Sequence, residues 1–408
     1  MKKRKLTPDL RFDGFNGDWS EAILSDYLVA SKEKNHDNQF SKDDVLSISR
    51  EFGVVNQVQY QGRSLAGESV NGYGVASTND VIYTKSPLRD QPYGIIKTNK
   101  GESGIVSALY AVYHPKENVD SRFIQIYFEY DKRLNDYLRP IVHKGAKNTL
   151  NIGDDDALLG KVFFPKKEEQ VPITSTFETI DNEIGIQREK CAKLKNTKKA
   201  LLISLFPQGK NRQPKIRLNR YRGDWEERPL MEIVNRYIEI IETPGNGYER
   251  LGIRSHGKGT FHSIVPPGEE LETAKMSVVR ANNLIINITF GWELAVAITQ
   301  SEDEGKLVSH RFPQFAFQTG YYPLFFRYGL INDKFRKHLL LASPGSAGRN
   351  RVLKIDKMLE FRTLVPSIEE QRSITDFLLE YDRLIQLNDQ KLEHLKNLKK
   401  ALLDKMFV

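Results

Sequence analysis

A chain of 408 residues exceeds what one ordinary core organises and suits two domains of about 150 residues with connecting helices. Its hydrophobic content of 39% can build such cores, and no run of about 18 uncharged apolar residues is present to span a bilayer. A formal charge of +8 and a pI near 9.1 favour a polyanionic partner, while the single cysteine, Cys191, excludes internal disulfides and cysteine-rich zinc sites and points to a reducing, cytoplasmic setting.

The basic N-terminus has no apolar stretch behind it and does not read as a secretory signal. Next comes a short aromatic segment, Arg11-Phe12, Phe15 and Gly17-Asp18-Trp19, in which Gly17 makes a turn, Asp18 caps a following helix and Trp19 packs on it. Residues 20–165 mix short apolar runs with Gly, Asn and Ser turns. Strands are expected at 81–83, 104–112 and 123–128 and a helix at 135–141, giving an α+β domain. Its polar loops carry Lys85, Arg89, Lys97, Lys100, Arg122, Lys144, Lys147 and Asn148 as candidate DNA contacts, since Lys and Arg neutralise phosphates and Arg and Asn read base edges.

From Pro165 the sequence becomes helical. Ile173, Phe177, Ile180, Ile184, Gln187, Cys191, Leu194, Thr197, Leu201 and Leu205 step by alternating fours and threes, the seam of a coiled coil. The helix is expected to run without a proline, with Gly185 its one breaker, over a length on the order of 50 Å.

The chain then repeats itself. Arg217-Leu218, Tyr221 and Gly223-Asp224-Trp225 match the opening segment, and a second helical stretch from Pro366 aligns without a gap on the one from Pro165. Glu168-Glu169-Gln170 falls on Glu369-Glu370-Gln371, and Lys198-Lys199-Ala200 on Lys399-Lys400-Ala401. Between these flanks, residues 226–365 diverge from the first half. Strands are expected there at 283–290, 294–298 and 323–326 and a helix at 331–341. The candidate contacts are Arg254, Lys258, Trp292, Ser309, His310, Arg311, Ser346, Arg349, Asn350 and Arg351. Each half also carries a Gly-rich loop before its last strand, at 145–149 and 345–350, able to turn backbone N–H groups toward phosphate. Similar flanks with different middles imply one docking surface made twice and two different things recognised. At about 200 residues the period is too long for a solenoid.

Two apolar seams need partners, and each is the obvious partner of the other; a pseudo-twofold relation would make them antiparallel. Gln187 and Asn388 occupy equivalent seam positions near the helix midpoints, where a polar layer would fix register. Chemistry is missing: there is no phosphate-binding loop, no dinucleotide fingerprint and no amino-methyltransferase motif. Asp154-Asp155-Asp156 reads as a solvated cap and not a metal site.

The arrangement resembles the specificity (S) subunit of type I restriction–modification systems over essentially the whole chain. The residues that carry it are Arg11 to Trp19, the paired Gly-rich loops, and Pro-x-x-Glu-Glu-Gln-x-x-Ile at Pro165 and Pro366, each leading into a long helix. The resemblance implies an α+β protein with two pseudo-symmetric α/β target recognition domains, 1–165 and 207–365, separated by antiparallel coiled-coil helices, 166–206 and 366–408. It implies a non-catalytic subunit that reads a bipartite site on double-stranded DNA and binds no cofactor itself. Two methyltransferase subunits would use S-adenosylmethionine to methylate adenine N6, and two restriction/translocase subunits would use ATP with Mg. Serving a different fused nuclease–methyltransferase, or acting as a coiled-coil scaffold for proteins, are the alternatives. The second Gly-rich loop is less regular than the first.

Overall fold

A computed structural model describes residues 6–88, 91–145, 150–218, 221–270, 273–345 and 351–408. The chain forms two units, residues 1–189 with 389–408, and residues 190–388, so the division falls inside both long helices and not at their ends.

In the first unit the central sheet is antiparallel, in the order Leu28–Ala30, Tyr110–Pro115, Val81–Thr84, Ile96–Thr98. Val81–Thr84 is buried on both faces, which is why it reads as a continuous apolar run and not as an alternation. A second layer holds the hairpin Leu46–Ser49/Gly53–Asn56 and the pair Gly74–Ala76/Gly104–Val106, joined by a parallel bridge between Val45 and Ile105. Strand Ser20–Ile23 pairs with Lys161–Phe164 and ties the beginning of the domain to its end. The expected strand at 104–112 is thus two strands, Gly104–Val106 and Tyr110–Pro115, serving different sheets.

The second unit repeats this topology. Its central sheet runs Val234–Tyr237, Gln314–Phe317, Asn283–Ile286, Val296–Ile298. Its second sheet contains the hairpin Tyr248–Ile253/Thr260–Val265 and the pair Lys275–Val278/Leu307–Val308, with a parallel contact at Arg250 and Leu307 and one further edge strand, Ile240–Glu242. Glu226–Pro229 pairs with Arg362–Val365, as Ser20–Ile23 does with Lys161–Phe164. The duplication therefore extends as topology through the middles whose sequences diverge.

Two expected strands are helices, and they are counterparts. Residues 123–128 lie in the helix Ser121–Phe128, and 323–326 in Pro323–Gly329. Seven of the eight residues of Ser121–Phe128 are buried, the polar Ser121 and Gln125 among them. What decides the conformation is the helix start: the Asp120 side chain accepts from Arg122 N, and Pro323 occupies the first turn of the other helix. The expected helices at 135–141 and 331–341 correspond to Asp131–Leu138 and Asp333–Leu341.

The long helices span Lys167–Leu205 and Ile368–Lys405. Contrary to the expectation, a proline lies inside the first: Pro172 is its sixth residue, where it removes one backbone donor, the one that would reach the Glu168 carbonyl. Within the first unit Phe177 packs on Phe407 at 5.9 Å and Asp181 binds Lys399 at 2.6 Å, so these helix segments run antiparallel. In the second unit Lys198 pairs with Asp382, and Leu201 and Leu205 share a core with Ile374 and Leu378, again antiparallel. The seam slips once in each helix, at equivalent places. Thr197 and Leu398 are exposed, and the next residues, Lys198 and Lys399, turn inward toward Asp382 and Asp181.

Candidate nucleic-acid interface

Each domain stands on the same anchor. Arg11 donates from Nε and Nη2 to the two Glu169 carboxylate oxygens, both at 2.7 Å, and from Nη1 to the Gly17 carbonyl at 2.6 Å. Arg217 repeats this with Glu370 at 2.8 and 2.7 Å and with the Gly223 carbonyl. The next residue of the motif does a second task. Gln170 Oε1 accepts from Asp120 N at 2.9 Å while its amide donates to the Pro165 carbonyl; Gln371 accepts from Tyr322 N at 2.8 Å and donates to the Pro366 carbonyl. Glu-Glu-Gln recurs because its second residue receives the arginine and its third fixes the start of a packed helix. Gly17 and Gly223 turn the chain at φ +83° and +84°, as the sequence suggests. Asp18 and Asp224 cap no helix, however, because a strand follows each. Trp19 and Trp225 are buried plugs; Trp19 Nε1 reaches Glu169 at 3.3 Å, whereas Trp225 Nε1 has no partner among the described residues.

In the second unit the scattered candidates come together at one end of the central sheet. Ile288 N donates to the Arg311 carbonyl and Ile288 O accepts from Leu353 N, which brings 309–311 and 351–353 to either side of the same residue. The Arg351 guanidinium lies 5.9 Å above the Trp292 ring, a cation–π contact. The turn of the hairpin at 254–259 docks beside them: His256 N donates to Glu293 O at 2.8 Å and Gly257 N to Leu294 O at 2.9 Å. Arg254, His256, Lys258, His310 and Arg311 are exposed there, and Ser309 is half-buried.

The first unit divides its candidates. Lys85 and Lys144 lie at the corresponding end: Lys85 N donates to the Leu109 carbonyl as Ile288 N does to that of Arg311, and Lys144 Nζ sits 5.3 Å over Tyr93. Lys85 also pairs with Asp154 at 2.8 Å, which accounts for one acid of the Asp154-Asp155-Asp156 run. The other three are committed inside the unit. Lys100 and Arg122 both pair with Glu178 of the long helix, at 3.1 and 3.2 Å. Lys97 is buried, with its ammonium 2.9 Å from Glu129. Lys399 binds the other oxygen of Glu129 at 2.5 Å. Burial alone would raise the Glu129 carboxyl, but Lys97 and Lys399 outweigh it and hold the group down at about 2.

Arg89, Lys147, Asn148, Ser346, Arg349 and Asn350 lie outside the described residues. Gln187 and Asn388 are both buried; they belong to different units, and Asn388 Nδ2 donates to Leu384 O at 2.7 Å. Sequence reasoning missed His256. The Gly-Lys-Gly that follows it was the available sign of an exposed turn. Among the described residues no group of three or more His, Cys, Asp or Glu converges on a metal position, and no helix is long and apolar enough to cross a membrane.

No family model matches the chain. The specificity subunit of the type I restriction enzyme MjaVIII from Methanocaldococcus jannaschii is 24% identical over 258 residues, and the match spans 60% of this chain and 60% of that relative's length. Among solved structures, the S subunit of the type I restriction–modification system of M. genitalium superposes with a TM-score of 0.56 at 14% identity, over 98% of this chain and 99% of that one. A chain from a structure describing complex assembly and conformational transition of the type I R-M system gives 0.50 at 14% identity, over 95% and 97%. The resemblance drawn from the paired motifs is borne out: the similar protein is a specificity subunit, and the mixed α/β fold with its two long helices is that of S subunits.

Proposed function

We propose that this S-subunit fold works as the non-catalytic DNA-recognition subunit of a type I restriction–modification complex. The observation that carries the proposal is that one scaffold, with the same Arg–Glu anchor and the same strand order, is built twice and bears different side chains at the same end of its central sheet. Two readers on one chain would take the two halves of an asymmetric site on double-stranded DNA, with residues 1–165 and 207–365 as the recognition domains. The helices would set the gap between the half-sites, with Gln187 and Asn388 marking their register. Linking two weak readers raises affinity only for sites with the right gap. Lys85 and Lys144 would face DNA in the first domain, and Trp292, Ser309, His310, Arg311 and Arg351 in the second. Lys97 is not proposed as a contact, because its charge is enclosed with Glu129.

The reaction would belong to partners in the cytoplasm: two methyltransferase subunits with S-adenosylmethionine, and two restriction/translocase subunits with ATP and Mg. Sequencing the methylated bases of a host with and without this gene tests the proposal. A bipartite adenine motif that disappears with the gene is expected. DNA binding by the complex should also fall steeply with rising salt. A host methylome indifferent to the gene, or a chain that binds only proteins, would sink the proposal in favour of the scaffold.

A further inference from the structure

The two units share a hairpin at the same place in their topology, and it differs between them in a telling way. In the first unit it is short, Leu46–Ser49 and Gly53–Asn56, and its turn is closed onto its own unit. Arg50 pairs with Asp131 at 2.6 Å, Glu51 with Arg188 at 2.8 Å, and the Arg188 guanidinium lies 5.7 Å above Phe52. In the second unit the strands are six residues each, Tyr248–Ile253 and Thr260–Val265, and the turn is 254–259. Among the described residues its exposed His256 and Lys258 have no ion-pair partner.

The longer turn is held rigidly. Besides the two backbone hydrogen bonds to Glu293 and Leu294, Ser255 Oγ donates to Glu293 Oε2 at 2.6 Å. His256 is in the left-handed region at φ +63°, a conformation that costs a non-glycine residue energy and persists where surroundings enforce it. Gly257 follows at φ +63°, and a Cβ there would meet Ile331 at 2.6 Å, so the turn is seated as closely as glycine permits. Arg254 is drawn back along the hairpin, donating to Thr260 O with its guanidinium 5.1 Å from the Phe261 ring. That leaves His256 and Lys258 projecting from a fixed support beside Trp292 and Arg351.

We infer that this hairpin is the base-reading element of the second domain, with Lys258 and His256 as its specificity-determining residues. The inference rests on the DNA-recognition proposal above. A two-stranded ribbon is one of the few elements that fits the major groove, and a lysine at its tip matches the O6 and N7 acceptors of guanine. A histidine donates or accepts at a neighbouring base edge, according to its tautomer. Such readout gains from a tip whose conformation is set before DNA arrives, because no ordering cost is then added on binding.

The test uses the full chain assembled with its methyltransferase subunits, comparing wild type with Lys258→Ala and His256→Gly. Glycine suits the backbone at 256, and Lys258 is exposed, so both variants should fold. The expected result is a methylated motif with the first half-site and the gap intact and one or two positions of the second half-site made degenerate. Affinity of either variant for the original site should fall roughly ten-fold. An unchanged motif with unchanged affinity would overturn the inference alone. So would an equal loss on every sequence, which would make Lys258 a residue that binds phosphate. Failure of the DNA-recognition proposal would look different, because the wild-type complex itself would then show no sequence-specific methylation.

Discussion

At the scale of single residues, the Arg11–Glu169 pair bears directly on integrity. Its carboxylate is almost completely enclosed, with a side-chain exposure of 4%, so removing the arginine leaves a charge with nothing to balance it. Arg11→Leu should cost about 3–5 kcal/mol of unfolding free energy, whereas Arg11→Leu with Glu169→Leu should cost less, since the stranded charge goes too. Urea unfolding of the two variants measures the difference. Glu129 gives a pH-dependent counterpart. Its folded value, about 2, lies below its ordinary 4.5, so its contribution is complete above about pH 4.5 and is lost as the pH falls toward 2. Lys399→Met removes one of its two cations and should move the acid-unfolding midpoint to higher pH, followed by circular dichroism. Little of this was legible beforehand. Arg11, Arg217 and the two Glu-Glu-Gln triplets were visible as repeats, but a repeat does not say that an arginine reaches a glutamate more than 150 residues away.

Among elements, the ends of the long helices do more than conclude a seam. Phe407 is buried against Trp19 at 5.9 Å, Phe123 at 5.7 Å and Phe177 at 5.9 Å. Phe206 meets Trp225 at 5.9 Å and Phe325 at 5.4 Å in the second unit. Phe407→Ala should destabilise the first unit by about 3–5 kcal/mol, a typical cost of emptying an aromatic site. Phe206→Ala should cost less, because Phe206 is only half-buried; thermal unfolding of both variants decides. The long helices were readable from their apolar spacing, yet two features escaped it. Pro172 sits early enough to cost a single hydrogen bond, and the inward turn of Lys198 and Lys399 depends on carboxylates far along the chain. The helices at Ser121–Phe128 and Pro323–Gly329 were mistaken for strands because Phe123–Phe128 and Pro323–Phe326, taken alone, are short aromatic-rich runs of the kind strands favour, too short to display a helical period.

On the scale of the molecule, the duplication was plain in the flanks and hidden in the middles. A strand order tolerates nearly any apolar side chain, so common topology outlasts sequence likeness. If the helices set the gap between half-sites, removing one heptad from each should change the preferred gap, and leave both half-site sequences as they were. Methylome sequencing of a strain carrying the shortened gene reads both at once. An altered half-site beside an unaltered gap would contradict the proposal.

The aromatic closure by Phe407 has a bearing on how the protein is made. Residues 389–408 complete the first unit, yet they leave the ribosome after all of residues 190–388. The earlier-made unit must therefore wait, its tryptophan cleft open, while the later one is translated and can already close. A nascent chain that stalls once residue 388 has emerged would yield a finished second unit and an unsealed first one. Cellular proteases would find the flaw in that half, so partial products with a single closed unit should be cleared early.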